Sequence, residues 1–244
     1  GGDARRRGWP RGGPALPDTP PYTEGDQDRL AMILYTSGST GAPKGAMWTE
    51  KMVATLWTLP LKAPDVPVVN VNFLPLNHLG GRIPLSSAFQ AGGTSYFVPE
   101  SDLSTLFEDW SLVRPTDVGL VPRVVDMLFQ RYQQGVERLV SQGGVDETTA
   151  DTLAKAELRE HVFGGRVVGG LRQHRTPLSA EMKTFVESCL DANLADAYGL
   201  TEIGAVSTDG IIVRPLVIDY KLIDVPELGY FNTDRPYPPA GNCW

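Results

Sequence analysis

The sequence is poor in cysteine and histidine, and it has no long apolar run. Its 244 residues include two cysteines, Cys189 and Cys243, and three histidines. Because the cysteines lie far apart, neither a disulfide framework nor a paired-cysteine metal or redox site is predicted. No apolar run approaches the roughly 18 residues of a membrane span, and the N-terminus lacks the basic-then-apolar order of a signal peptide. These absences predict a cytoplasmic location without a membrane partner.

Basic residues are also in short supply relative to acidic ones. The chain has 22 Lys+Arg against 29 Asp+Glu, which gives a net charge of −7. Nucleic acids are bound through clustered Lys and Arg, and the short basic run Arg5 to Arg7 is typical of a solvated tail. We therefore predict no nucleic-acid partner. One local site for a small anionic ligand is still compatible with an acidic chain.

The order of apolar and amphipathic segments predicts an α/β fold. Residues 1–28 are rich in Gly, Pro and Arg and predict a leader or linker, whereas 29–244 predict the folded domain. Short apolar runs alternate with longer amphipathic stretches, which favours βαβ units and a mainly parallel sheet flanked by helices. After Gly210 strand follows strand, which predicts an antiparallel or barrel-like β-rich edge. Pro122 suits a first helical turn and Ser179 an N-cap. The predicted strands are 30–35, 68–74, 94–98, 117–121, 166–168, 193–197, 211–213 and 216–223, and the predicted helices are 49–59, 81–91, 102–113, 122–140, 151–162 and 178–190.

The first chemically informative segment is Thr36 to Gly45, directly after the first predicted strand. Its glycines permit close backbone approach, its hydroxyl and N–H groups suit phosphate oxygens, and Lys44 adds a mobile positive charge. The usual NTPase loop has Gly-Lys-Ser/Thr in succession, whereas Lys44 lies between Pro43 and Gly45. The residues alone leave open a flexible turn with an incidental lysine. As a set, they predict a polyphosphate site.

The second segment, Asp196 to Glu202, follows a predicted strand and ends in a predicted turn. Tyr198 offers an aromatic face for stacking, Thr201 a hydroxyl for phosphate, and Glu202 a hard oxygen ligand for Mg²⁺. An ordinary turn that contains a tyrosine and a glutamate is the alternative. The chemistry of the residues therefore predicts a nucleotide base and metal site only if this segment meets the first one.

The third segment, Phe73 to Arg82, places His78 in a turn between a strand and a helix. A lone histidine in a turn is more often a hydrogen-bonded structural residue than a catalytic one, and both interpretations stay open. His161 and His174 have no comparable surroundings, and we interpret both as structural or surface residues.

The first two segments, in this order, resemble the signatures of the adenylate-forming (ANL) superfamily, which includes acyl-CoA synthetases, luciferases and peptide-synthetase adenylation domains. The wider sequence is most similar to the adenylation domain of carboxylic acid reductases, from about Pro17 to Tyr237. The resemblance implies part of the large N-terminal subdomain of such an enzyme. The stretches that carry the narrower resemblance are 74–82, 92–102, 119–123 and 219–230.

The resemblance implies ATP-dependent activation of a carboxylic acid to an acyl-adenylate, the first step of carboxylic acid reduction. It implies that the first segment, Thr36 to Gly45, contacts the β- and γ-phosphates, and we call it the phosphate segment. It also implies that Tyr198 contacts the adenine, that Thr201 contacts the α-phosphate region and that Glu202 binds a Mg²⁺ ion. His78 is implied to orient the carboxylate. The implied catalytic residues are His78, Thr201, Glu202 and Lys44, and the implied nucleotide-binding residues are Thr36, Ser37, Gly38, Ser39, Thr40, Gly41, Lys44, Gly45, Tyr198, Gly199 and Thr201.

The resemblance also implies a longer parent protein, with a carrier domain in cis, phosphopantetheine and NADPH. The family's C-terminal subdomain has no counterpart in this sequence, so we expect the activity of this chain to be impaired. The run Arg172 to Arg175 is bulkier than the small residues expected there, and we expect frame errors around 170–176, at 239–244 and in the leader at 1–16. The alternatives are an acyl-CoA ligase fragment and a non-catalytic nucleotide-binding remnant.

Overall fold

The computed structural model describes residues 25, 27–36, 42–58, 66–168, 171–173, 178–214 and 217–233. Most of the predicted leader lies outside the described residues, as do 239–244, so the predicted domain boundaries stay predictions. The described residues form a mixed α/β fold, as predicted, with strands in three sheets.

The chain enters the fold through an antiparallel hairpin of β1 (Leu30–Thr36) and β2 (Lys44–Thr49). The strand β2 was missed, because its start consists of Lys44 and Gly45, which resemble a turn. Helix α1 (Glu50–Thr58) follows at once, close to the predicted range 49–59. The phosphate segment therefore connects two paired strands and does not lead directly into a helix.

A parallel βαβ unit comes next, as predicted. It consists of β3 (Val69–Asn72), α2 (Leu79–Gln90) and β4 (Thr94–Phe97). The side-chain amide of Asn72 donates to the carbonyl of Gly81 at 2.6 Å, and that of Asn70 donates to the carbonyl of Pro84 at 2.9 Å. Because both asparagines are buried, these bonds satisfy their amides and fix α2 against the strand.

The main core lies beside a five-stranded sheet in the order β5-β6-β7-β8-β9. Trp110, 1% exposed, stacks on Phe163 at a ring-centroid distance of 4.9 Å. The strands β5, β6 and β7 are parallel, whereas β7, β8 and β9 are antiparallel. The bounds are α3 (Leu106–Val113), β5 (Val118–Leu120), α4 (Pro122–Ser141), α5 (Glu147–Glu157), a π-helical turn (Leu158–Val162), β6 (Leu171–Gln173), α6 (Ala180–Leu190), β7 (Leu194–Leu200), β8 (Gly204–Thr208), β9 (Ile211–Ile212) and a 3₁₀ turn (Pro226–Leu228).

Two helix starts are confirmed and two helix boundaries are corrected. Pro122 occupies the first turn of α4, and the Ser179 side chain accepts a hydrogen bond from the N–H of Met182 at the start of α6. Helix α3 begins after the predicted residue 102, because Leu103 has a φ of 67°, which a right-handed helix excludes. Helix α5 begins at Glu147, before the predicted residue 151, because the side chain of Asp146 caps it by accepting a hydrogen bond from the N–H of Thr149.

Two predicted strands are wrong. The strand expected at 166–168 lies at Leu171–Gln173, because the backbone pairs with β5 only from Leu171 onward. No strand forms in the described residues of the predicted range 216–223, where Ile218 is 87% exposed and packs against no sheet. The antiparallel edge is confirmed, but it starts with β8, before Gly210, and the sheet that the structure describes does not close into a barrel.

Candidate functional site

The phosphate segment lies at the end of the β1–β2 hairpin. Thr36 pairs with Lys44 across the strands, and the Thr36 hydroxyl donates to the Lys44 carbonyl at 3.4 Å. A Cβ built on Gly45 would lie 2.6 Å from Cγ2 of Ile33, so this position has little room for a side chain. Lys44 is exposed. The hairpin therefore fixes both ends of the segment, while Ser37, Gly38, Ser39, Thr40 and Gly41 lie outside the described residues.

The second segment belongs to a second hairpin. Tyr198, Gly199 and Leu200 complete β7, which extends beyond the predicted strand end at 197, and residues 201–203 turn the chain into β8. A Cβ on Gly199 would lie 2.4 Å from the Gly204 carbonyl oxygen, so the two strands approach too closely for a larger residue. Tyr198 and Thr201 are half-buried, and Glu202 is exposed. The turn thus presents a carboxylate to solvent.

A hydrogen bond joins the two hairpins. The indole Nε1–H of Trp48, in β2, donates to the carbonyl oxygen of Thr201 at 2.8 Å. Trp48 is 3% exposed and packs with Leu34, Leu56 and Leu79. Trp48 and Thr201 are 153 residues apart in sequence. The β1–β2 hairpin, which carries the phosphate segment, and the turn before β8 therefore meet at this tryptophan.

His78 is the N-cap of α2. Its Nδ1 accepts a hydrogen bond from the N–H of Gly80 at 2.9 Å, so the side chain satisfies one of the free donors of the first turn. A neutral imidazole that accepts at Nδ1 carries its proton on Nε2. This hydrogen bond gives His78 a structural role in the turn, and its contact with a carboxylate stays a prediction. His161 is exposed on the π-helical turn, and His174 lies outside the described residues.

Two residues near these segments had been given no role from the sequence. Trp48 carried only the signal of an apolar residue after the phosphate segment, which predicts burial and says nothing of a partner in β7. Arg82 was part of the His78 segment, and its Nε is buried without a hydrogen-bond partner in the part of the chain that the structure describes. A buried N–H without an acceptor costs free energy, so Arg82 is a candidate anion contact that sequence reasoning did not single out.

The described residues contain no cluster of three or more His, Cys, Asp or Glu side chains that could hold a metal ion. Mg²⁺ is commonly bound by one or two carboxylates together with substrate phosphates, so a single exposed carboxylate is the kind of ligand that such a site needs. Glu202 is the exposed carboxylate that the sequence assigns to this task. Along the described chain, no helix has both the length and the apolar character needed to cross a membrane.

A surface cleft of about 450 Å³ between α4 and α5 is separate from these segments and is lined by Tyr132, Gln133, Val136, Glu137, Val140, Glu147 and Asp151. Partial burial and a hydrogen bond to Asp151 raise the pKa of Tyr132 to about 12. Hydrogen bonds from Lys155 and Tyr132 lower the pKa of Asp151. These shifts are explained by the contact that joins the two helices, so they belong to the packing and not to the candidate site.

Comparison with protein families and curated proteins points to one group. The family model described as AMP-binding enzyme matches residues 3–229. The carboxylic acid reductase of Mycobacterium tuberculosis is 51% identical over 230 residues, which cover 93% of this chain and 19% of that protein. The carboxylic acid reductase of Segniliparus rugosus is 48% identical over 236 residues, 93% of this chain and 20% of that protein. The chain thus spans about a fifth of the length of these relatives.

Solved structures agree with the sequence matches. The adenylation domain of the carboxylate reductase from Mycobacterium chelonae matches with a TM-score of 0.81 and 48% identity, over 92% of this chain and 34% of that one. The A domain of the Segniliparus rugosus enzyme, in complex with AMP and a co-purified carboxylic acid, matches with a TM-score of 0.79 and 45% identity, over 92% of this chain and 36% of that one. The peroxisomal long chain acyl-CoA synthetase 7 of Arabidopsis thaliana is 27% identical over 91% of this chain and 36% of that protein.

Proposed function

Because the chain belongs to the family of AMP-binding enzymes, we propose that it supplies part of a site that activates a carboxylic acid with ATP. The reaction is the formation of an acyl-adenylate, as the first step of carboxylic acid reduction by the parent protein. The observation that carries this proposal is the hydrogen bond from Trp48 to Thr201, because it brings together the hairpin with the phosphate segment and the turn with Glu202.

The chemistry sets demands that these residues can meet. A carboxylate oxygen attacks the α-phosphorus of ATP and forms a new O–P bond. The bond between the α-phosphorus and the oxygen that bridges it to the β-phosphorus breaks, and pyrophosphate leaves with that oxygen. Two anions must approach each other, and their repulsion grows as water is excluded. Cations and hydrogen-bond donors fixed before the reaction lower this barrier, and alignment of the reacting groups supplies much of the remainder.

Each predicted residue has a part in meeting these demands. Lys44, exposed at the end of the hairpin, would contact the β- and γ-phosphates with the hydroxyls of Ser37, Ser39 and Thr40. Tyr198 would stack on adenine, and Thr201 would contact the α-phosphate region. When bound, Mg²⁺ neutralises phosphate charge, and Glu202 would hold it. His78 would orient the substrate carboxylate. The backbone around the nucleotide would be formed by the remaining predicted residues, Thr36, Gly38, Gly41, Gly45 and Gly199.

The relatives support the narrower parts of the proposal. A solved A domain of a carboxylic acid reductase contains AMP and a co-purified carboxylic acid, and a solved didomain pairs the A domain with a PCP domain. We therefore propose that the parent of this chain carries a carrier domain in cis. From the family resemblance we further propose that this domain carries phosphopantetheine and that the parent uses NADPH, and from the sequence we propose a cytoplasmic location. The acyl-CoA ligase alternative is weaker, because acyl-CoA synthetases and ligases among the relatives are 27–31% identical to this chain, against 48–51% for the reductases.

Calorimetry on the 244-residue chain tests the proposal through Glu202. The affinity for ATP is measured with Mg²⁺ and with a chelator, for the wild type, for Glu202→Gln and for Glu100→Gln, which changes an exposed glutamate that belongs to neither hairpin. We expect Glu202→Gln to weaken binding of ATP with Mg²⁺ about tenfold and to leave metal-free binding nearly unchanged, because only the metal-bound form uses the carboxylate. Glu100→Gln should bind like the wild type.

Acid-dependent exchange of pyrophosphate into ATP measures the activity of the same samples, and we expect little exchange from this chain. A wild type that binds ATP neither with nor without Mg²⁺ would disprove the proposal for this chain. Equal loss of both affinities in Glu202→Gln would instead indicate that the variant is misfolded, which its thermal unfolding curve would reveal.

A further inference from the structure

We propose that Trp48 is a positioning residue for the nucleotide site. Its indole N–H would hold the peptide group between Thr201 and Glu202 in the orientation that the site needs. The role rests on the proposed function, since it concerns residues assigned to ATP and Mg²⁺. The tryptophan itself touches neither reactant. It acts through the backbone of the second hairpin.

The geometry of the peptide group explains why one hydrogen bond is enough. The carbonyl of Thr201 and the N–H of Glu202 belong to the same planar unit, so fixing the oxygen also fixes the direction of that N–H. The plane in turn determines where the Cα atoms of Thr201 and Glu202 lie. With its donor at 2.8 Å from the carbonyl oxygen, the indole therefore limits the positions open to both side chains.

The indole also reaches the far end of the same turn. Gly204, where β8 begins, has a φ of 80°, and a Cβ built on it would lie 3.5 Å from Cη2 of Trp48. The N–H of the ring thus bonds to the first residue of the turn, and Cη2 of the same ring lies near the position of the residue that ends it. The indole therefore borders the turn on both sides of Glu202, although the Glu202 side chain is exposed.

The same tryptophan is packed against the elements that carry the other predicted site residues. It lies in β2 four positions after Lys44, the residue at the start of that strand. It shares a buried cluster with Leu79, which directly follows His78. The indole therefore belongs to the same packed unit as the elements that carry a predicted phosphate contact, a predicted carboxylate contact and a predicted metal ligand.

A tryptophan that served only the core would stabilise the fold without any effect on the turn. The substitution Trp48→Phe separates this packing role from the positioning role. Phenylalanine keeps an aromatic ring in the cluster and removes the N–H donor, which leaves the Thr201 carbonyl without this partner. The matched control is Trp57→Phe in α1, where the half-buried indole stacks on the exposed Phe89 at a centroid distance of 6.0 Å and lies outside that cluster.

Two measurements on the full chain test the role. Backbone hydrogen exchange without nucleotide reports on residues 198–204, and calorimetry reports the affinity for ATP with Mg²⁺. We expect Trp48→Phe to raise exchange in 198–204 and to weaken ATP binding about fivefold, the factor for the net loss of one hydrogen bond of roughly 1 kcal/mol. Trp57→Phe should change neither quantity. Thermal unfolding of both variants shows how much of each effect comes from global stability.

The outcomes separate this role from the proposed function. If wild-type chain binds ATP and Trp48→Phe changes neither exchange nor affinity, the positioning role is wrong and the proposed function stands. If the wild type binds no ATP, the proposed function fails, and the exchange data alone decide whether Trp48 holds the turn. Should Trp48→Phe not fold, the nucleotide-free wild type decides the question, because an indole proton bonded to Thr201 must exchange slowly in NMR, and fast exchange contradicts the role.

Discussion

The Nδ1 atom of His78 accepts a hydrogen bond from the backbone N–H of Gly80, two residues further along the chain. The imidazole therefore caps α2 through Nδ1, and the contact with a substrate carboxylate that we propose is a second role. The two roles can be tested separately, because asparagine caps a helix through its side-chain oxygen but has no imidazole ring.

We predict that His78→Asn keeps the free energy of unfolding within about 0.5 kcal/mol of the wild type, whereas His78→Ala loses about 1 kcal/mol, the usual cost of removing an N-cap. If His78 orients the carboxylate, adding a carboxylic acid should change the affinity of the wild type for ATP, and both variants should lose this change. Urea unfolding gives the free energy of unfolding, and calorimetry gives the affinity for ATP with and without a carboxylic acid. If the acid changes the affinity of His78→Asn as much as that of the wild type, His78 serves only as a cap.

Gly199 gives a prediction about the second hairpin. A Cβ at this position would lie 2.4 Å from the carbonyl oxygen of Gly204, which belongs to the paired strand. Because backbone cannot rotate away as a flexible side chain would, Gly199→Ala should destabilise the fold by about 2 kcal/mol, as overpacking commonly does. It should also weaken ATP binding, since the turn between these residues carries Glu202.

Gly144→Ala is the control for Gly199→Ala. A Cβ at Gly144 would have no heavy atom within 4 Å, so the same change should leave both stability and ATP binding close to the wild type. Urea unfolding and calorimetry check both variants. A Gly199→Ala protein as stable as the wild type would show that the hairpin relaxes to accommodate the methyl group.

The sequence allowed much of the fold to be predicted where local pattern and burial agree. Helix α4 shows this agreement, because Pro122 starts it and its apolar residues recur at helical spacing. The strands β2 and β8 were missed, because both begin with residues that favour turns, Lys44-Gly45 in one and Gly204 in the other. Their strand conformation comes from pairing with β1 and β7, which is tertiary information.

The candidate site shows the same limit. The sequence predicted contacts with phosphate, base and metal for Lys44, Tyr198 and Glu202 from the chemistry of their side chains, and these roles stay predictions. The contact between Trp48 and Thr201 was not predicted, since it joins residues 153 positions apart and uses a backbone carbonyl, which any residue has. The capping role of His78 was half visible, as a turn before a helix needs a cap but histidine is not among the preferred cap residues.

The contact between Tyr132 and Asp151 predicts how stability depends on pH. The Tyr132 hydroxyl donates to the Asp151 carboxylate, which also accepts from Lys155 at 3.0 Å. The pKa of Asp151 is lowered by these bonds, so its contribution to stability is present above its ordinary pKa of 3.8 and is lost as pH falls through the folded value. The pKa of Tyr132 is raised from 10.0 to about 12, so its contribution is present below pH 10 and is lost as pH rises toward 12.

Tyr132→Phe removes the hydroxyl and keeps the ring that packs on Phe129 and Phe185. We predict that the variant is less stable than the wild type near pH 7, because Asp151 loses a donor, and that the difference shrinks both below pH 3.8 and between pH 10 and 12. Tyr96→Phe, at a position 49% exposed on β4, should show no such dependence. Urea unfolding from pH 3 to 12 measures the difference. A difference in the free energy of unfolding that stays constant through both ranges would mean that the Tyr132 hydroxyl contributes independently of its hydrogen bond to the Asp151 carboxylate.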